Sequence, residues 1–186
     1  MLQKIYANII KVTQLILETI MLFKKLRCIT DEYSYGHTPE QIWPFIINPL
    51  ALQSFESESC YEIESLSDNL GVAGSKWTER HIAEVCAGDV FEWTVTIADA
   101  PNVYQITSLQ HGLQQTATCT LILNEFGCTL RQELTFTPIF SKSIKSMLGL
   151  WAMLATGLLV KFADDKEETM AWFQNLETAI NETDNS

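Results

Sequence analysis

Basic side chains are in short supply: the 186 residues include 12 Lys and Arg against 23 Asp and Glu, a formal charge of −11. That balance repels phosphate backbones and excludes nucleic acid as a general partner. Cysteine provides no framework. Cys28, Cys60, Cys86, Cys119 and Cys128 are widely spaced, odd in number and without a C-x-x-C pair, which argues against a disulfide scaffold or zinc knuckle and for a reduced, cytoplasmic chain. Long apolar runs are missing too. The Leu- and Ile-rich N-terminus is interrupted by Asn8, Lys11, Thr13, Gln14 and Glu18, and the stretch from Met147 to Val160 is 14 residues long and broken by two glycines. A bilayer helix needs about 20 apolar residues, so neither a signal peptide nor a membrane span is expected. The three histidines, His37, His81 and His111, show no H-x-x-x-H spacing. No metal site is expected, and nothing calls for a cofactor.

What is present is enough apolar mass for one core. With 47% hydrophobic and 19% charged residues, the length suits a single domain over 27–182, an N-terminal extension over 1–26 and a flexible tail over 183–186. Leu2, Ile5, Ile9, Val12, Ile16, Ile20 and Phe23 recur every three or four residues, predicting an amphipathic helix over 2–25. Residues 1–27 carry five bases and one acid, which leaves 7 bases and 22 acids, or −15, on the rest. The apolar face needs a cover: its own domain, a partner protein, the same helix of a second copy in a homodimer, or an anionic membrane met through Lys4, Lys11, Lys24 and Lys25. Protein covers are favoured over membrane contact, because the acidic body is repelled by the surface that attracts the segment.

Further on, weak alternation predicts a strand over 28–35. Thr38-Pro39-Glu40-Gln41 is a capping-box sequence that opens a short helix through Ile42, Trp43, Phe45 and Ile46, and Asn48-Pro49 stops it. Pro44 costs a helix interior about 3 kcal/mol, so a kink or fray near Trp43 is expected. Leu50 to Phe55 supplies another turn of helix. Between Cys60 and Pro138 the composition becomes β-branched and aromatic, with turn signals at regular intervals. Strands are predicted at 60–66, 75–85, 89–98, 103–110, 115–124 and 128–137, close enough in sequence for an antiparallel meander. A helical period then returns through Ile144, Met147, Leu148, Trp151, Leu154, Leu158 and Phe162 to Phe173, Leu176 and Ile180. The economical packing is a curved antiparallel sheet around a C-terminal helix, an α+β helix grip.

Strand periodicity assigns the faces. On 75–85, Trp77, Glu79, His81, Ala83 and Val85 point inward; on 89–98, Phe91, Trp93, Val95 and Ile97; on 128–137, Leu130, Gln132, Leu134 and Phe136. Cys119, Leu121 and Leu123 line the strand between, and 103–110 is ambiguous. An apolar wall carrying a few polar groups suits a mostly apolar small molecule, although the same aromatics could fill the interior as a solid core. The candidate ligand-binding residues are Trp77, Glu79, His81, Phe91, Trp93, Leu121, Leu130, Gln132, Leu134 and Trp151. Glu79 and His81 form the nearest thing to a catalytic constellation, since a carboxylate beside imidazole fixes its tautomer and makes it a usable acid or base. No Ser or Cys nucleophile sits at a recognisable spacing.

Four blocks, 38–49 (TPEQIWPFIINP), 66–80 (LSDNLGVAGSKWTER), 91–101 (FEWTVTIADAP) and 127–138 (GCTLRQELTFTP), taken in order, resemble the SRPBCC (START-like) superfamily, and within it the polyketide cyclase/dehydrase and lipid-transport branch. The resemblance covers residues 28–180. It implies a helix-grip fold, seven antiparallel strands around a long C-terminal helix, with a deep apolar cavity and no universal catalytic residues. Trp77-x-Glu79 and Phe91-x-Trp93 match its recurring pattern as a fold signature. Pro44 stands where relatives keep a helix former, and 1–26 has no counterpart. Three functions follow as expectations: carriage of a lipid, isoprenoid or polyketide-like ligand; a cyclase/dehydrase reaction using Glu79 and His81; or an interaction domain docking through the N-terminal helix.

Overall fold

The computed structural model describes residues 28–55, 61–82, 88–110, 113–138 and 166–184. The helix expected over 2–25, the apolar run that includes Trp151, the His111-Gly112 turn and the inward positions Ala83 and Val85 lie outside the described residues. Seven strands, β1 (Cys28–Tyr35), β2 (Tyr61–Leu66), β3 (Lys76–His81), β4 (Val90–Asp99), β5 (Val103–Gln110), β6 (Leu113–Asn124) and β7 (Gly127–Pro138), form one curved antiparallel sheet in the order β1-β7-β6-β5-β4-β3-β2. Consecutive strands from β2 to β7 are neighbours. The first strand closes the meander by pairing with the last, Cys28 opposite Thr135 through Tyr35 opposite Cys128.

Two short helices, α1 (Pro39–Ile46) and α2 (Pro49–Ser54), connect β1 to β2. Proline takes the first position of each, where its missing N–H costs nothing. Gln41 reaches back as the capping box requires, its Oε1 accepting the Thr38 N–H at 2.9 Å. Asn48 Oδ1 accepts the Leu50 N–H at 3.1 Å and starts α2. Pro44 lies inside α1 without ending it, so the helix does not fray there. Both Pro44 and Glu40, whose carbonyl loses its partner, are exposed, so water serves the orphaned oxygen while Ile42 and Ile46 stay buried on the opposite side.

The C-terminal helix α3 (Lys166–Asp184) extends past Thr183, into the stretch expected to be a flexible tail. Phe173, Leu176 and Ile180 follow one another at three- and four-residue spacing and are fully buried. The helix lies over the β1 end of the inner face. Phe173 stacks on Tyr33 with ring centroids 5.4 Å apart, Tyr33 Oη donates to Glu177 Oε2 at 2.9 Å, and Asn175 Nδ2 donates to the Phe55 carbonyl at 2.7 Å, tying α3 to the segment after α2. The outer face is polar by contrast. Lys76–Glu92, Arg80–Glu64 and Arg131–Glu32 form exposed ion pairs across neighbouring strands, each worth at most about 1 kcal/mol.

Candidate functional site

The register of the sheet arranges the inward side chains in rows. Trp77 on β3 stands opposite Trp93 on β4, Trp93 opposite Ser108 on β5, Ser108 opposite Gln115 on β6, and Gln115 opposite Phe136 on β7. The two indoles are nearly parallel, 22° apart, with centroids separated by 6.1 Å. In the adjoining row toward the β3–β4 hairpin, Ile63, Glu79 and Phe91 are cross-strand partners, and beyond them Tyr61 faces His81. On the other side lies an apolar row of Val95, Ile106, Ala117 and Leu134. A more polar row follows, Ala98, Tyr104, Cys119, Gln132 and Asp31, and then Leu121, Leu130 and Tyr33 under α3.

Alternation therefore places most of the expected residues where the sequence put them. Trp77, Phe91, Leu121 and Leu130 are buried, Trp93, Gln132 and Leu134 half-buried, and Trp151 lies outside the described residues. One inward assignment fails. A bulge at Thr96 shifts the register between Val95 and Ile97, which turns Ile97 out to 41% exposure and brings Ala98 onto the core. Leu123 keeps the inward side, but at the turn end of β6 it is 71% exposed. The ambiguous strand resolves in favour of Tyr104, Ile106 and Ser108, because the turn after Asp99 pairs Asp99 with Val103 and Ala98 with Tyr104.

Glu79 and His81 are brought together. Glu79 is only 9% exposed, and its Oε1 lies 3.3 Å from His81 Nε2. The imidazole is held between aromatic rings, with centroids 4.6 Å from Phe91 and 5.8 Å from Tyr61. Two inward polar residues are not among the candidates expected from the sequence. Asp31 shares a row with Gln132, and Ser108 is 3% exposed. Alternation sets Asp31 on the side of Tyr33 and Tyr35, and Ser108 belongs to one of the two sets that compete on 103–110, which register counted outward from the β4–β5 turn decides. Trp77 Nε1, Trp93 Nε1 and Ser108 Oγ are buried with no hydrogen-bond partner among the described residues.

Burial favours the neutral forms of two thiols and two phenols on this face. Desolvation pushes the Cys119 thiol up to about 12, only partly offset by a hydrogen bond with Gln132, and the Cys128 thiol up to about 11. Neither is a nucleophile near neutral pH. Burial also raises the Tyr35 and Tyr104 phenols, and the Tyr104 hydroxyl donates to the Leu70 carbonyl at 3.1 Å. Among the described residues, no three His, Cys, Asp or Glu side chains converge on a point that could hold a metal ion. No described helix is long and apolar enough to cross a membrane.

No protein-family profile matches the chain, and no curated protein matches it in sequence. Solved structures match the fold. A Rhodobacter sphaeroides protein superposes with a TM-score of 0.55 at 13% identity, covering 84% of this chain and 93% of its own, and a Nitrosomonas europaea protein with 0.56 at 8% identity, covering 86% and 97%. A point mutant of norcoclaurine synthase from Thalictrum flavum, in complex with a transition-state analogue, superposes with 0.54 at 9% identity, covering 85% and 96%. At such identities the likeness is one of fold. The sheet and C-terminal helix are helix-grip-like.

Proposed function

We propose that the chain binds a mostly apolar small molecule of lipid, isoprenoid or polyketide-like character against the inner face of its sheet. The observation that carries this reading is the make-up of that face. Trp77, Phe91, Trp93, Leu121 and Leu130 supply apolar area, and Glu79, His81, Ser108 and Gln132 interrupt it as a small set of polar groups. Apolar area gives affinity and a few polar groups fix orientation. The helix-grip outline supports the reading at the level of fold, and the sequence blocks that resemble the polyketide cyclase/dehydrase and lipid-transport branch support it at the level of ligand chemistry.

A fatty acyl probe with an environment-sensitive fluorophore should bind the full chain saturably, with a stoichiometry near one, and Trp93→Ala should change its affinity. Absence of saturable binding by any hydrophobic probe would refute the reading.

The 3.3 Å approach of His81 Nε2 to Glu79 Oε1 favours a second reading, in which the bound molecule is also turned over. In the tautomer that donates Nε2–H to the carboxylate, Nδ1 carries the lone pair and can take a proton from an enolisable ligand, as cyclase/dehydrase chemistry requires.

A further inference from the structure

Three polar atoms on the inner face have no partner among the described residues, and they are not scattered. Trp77 Nε1, Trp93 Nε1 and Ser108 Oγ belong to successive residues of one row across β3, β4 and β5. Trp77 and Ser108 are 4% and 3% exposed, so bulk water does not serve them. A native fold hydrogen-bonds nearly all its buried polar groups, and three exceptions side by side call for a common cause.

We propose that this row is the subsite for the ligand's hydrogen-bond acceptor, and that the ligand is a neutral apolar molecule carrying a carbonyl oxygen: a ketone, ester or amide. The proposal rests on the binding function argued above. An indole N–H donates and never accepts, and a serine hydroxyl can donate, so the row as a whole asks for an acceptor with more than one lone pair. A hydrocarbon offers none, and a protonated amine offers only more donors. A carboxylate has acceptors but the wrong charge for this face. The next inward residue of β3 after Trp77 is Glu79, itself a carboxylate. The Lys and Arg side chains of the described strands, Lys76, Arg80 and Arg131, all lie on the outer face, engaged with Glu92, Glu64 and Glu32. A carbonyl oxygen meets the donors without needing a cation.

The test uses the full chain, labelled with ¹⁵N, and three probes of equal length: a long-chain methyl ketone, the corresponding alkane and the corresponding fatty acid. The chain has five tryptophans, so five indole N–H signals, two of which are assigned with Trp77→Phe and Trp93→Phe. The ketone should move the Trp77 and Trp93 signals downfield and bind about 2- to 10-fold more tightly than the alkane, which moves neither downfield. Ser108→Ala should narrow the preference for the ketone over the alkane. If Trp93→Phe fails to fold, this serine variant and the unmutated chain still decide the matter. Equal binding of ketone and alkane with unmoved indole signals would mean that ordered water alone satisfies the row, overturning the proposal and leaving apolar binding intact. Tighter binding of the acid than of the ketone would overturn the neutral-carbonyl assignment. If no probe binds, the binding function falls and takes the proposal with it.

Discussion

Glu79 is buried on an aromatic face, with its Oε1 3.3 Å from His81 Nε2. If the bound molecule is turned over, this pair is the machinery. Glu79→Gln should then lower turnover by about 10²- to 10⁴-fold with little loss of binding, as measured by steady-state kinetics beside probe titration. Unchanged turnover in both Glu79→Gln and His81→Ala would remove the catalytic reading. The buried thiols make a different statement at the same scale. Cys119 and Cys128 ionise at 9.0 when unperturbed and are pushed up to about 12 and about 11 in the fold. Above pH 9 the unfolded chain therefore gives up thiol protons that the folded chain retains, so this part of the stability is complete below pH 9 and is lost as pH rises through 11 and 12. Urea midpoints should fall between pH 8 and pH 10.5, and Cys119→Ala should make the fall shallower. A midpoint that is flat across that window would contradict the burial assigned to these thiols.

Element ends and irregularities decide which side chains reach the inner face. Gly127 opens β7 with φ of +144°, a backbone region that is nearly glycine-only, and a Cβ there would collide with the Tyr35 carbonyl oxygen and come within 2.8 Å of Gly36 C and His37 N. The β6–β7 turn packs directly against the end of β1, so Gly127→Ala should destabilise by about 1–3 kcal/mol in chemical denaturation. A neutral or stabilising result would show that the turn can move away from β1. Much of this element-level structure was legible beforehand. The strands β1 and β5, the capping sequence at Thr38 and the inward sets of β3 and β7 follow from alternation and turn chemistry that are local to each segment. The bulge at Thr96 was not legible, because an extra residue leaves the apolar pattern of Val95 and Ile97 unchanged and shows only against the partner strand. The continuity of α1 through Pro44 was not legible for a related reason. The cost of that proline depends on whether the Glu40 carbonyl is left dry, and that is a property of which side of α1 meets the core.

For the molecule as a whole, the candidate site is a product of register, not of any one strand. Trp77, Trp93 and Ser108 are 31 residues apart from first to last, and they meet because the two hairpins that join β3, β4 and β5 set their strands in one alignment. Glu79 and His81, two residues apart on a single strand, could be read as a pair from alternation; the donor row could not, since its geometry comes only from pairing across the sheet. The sheet separates chemistry by face: the cations of the described strands lie outside in exposed ion pairs, and indoles, aliphatics and a few polar groups lie inside. A face so constituted is suited to a ligand that gives up little hydration on leaving water. Native mass spectrometry of the freshly purified full chain, before and after extraction with organic solvent, tests this most directly. The account predicts a species heavier than the 21.1 kDa polypeptide by one small molecule, or a bare chain that takes up one equivalent of an added long-chain ketone. A mass equal to the polypeptide under every condition, with no uptake of ketone, alkane or acid, would contradict it.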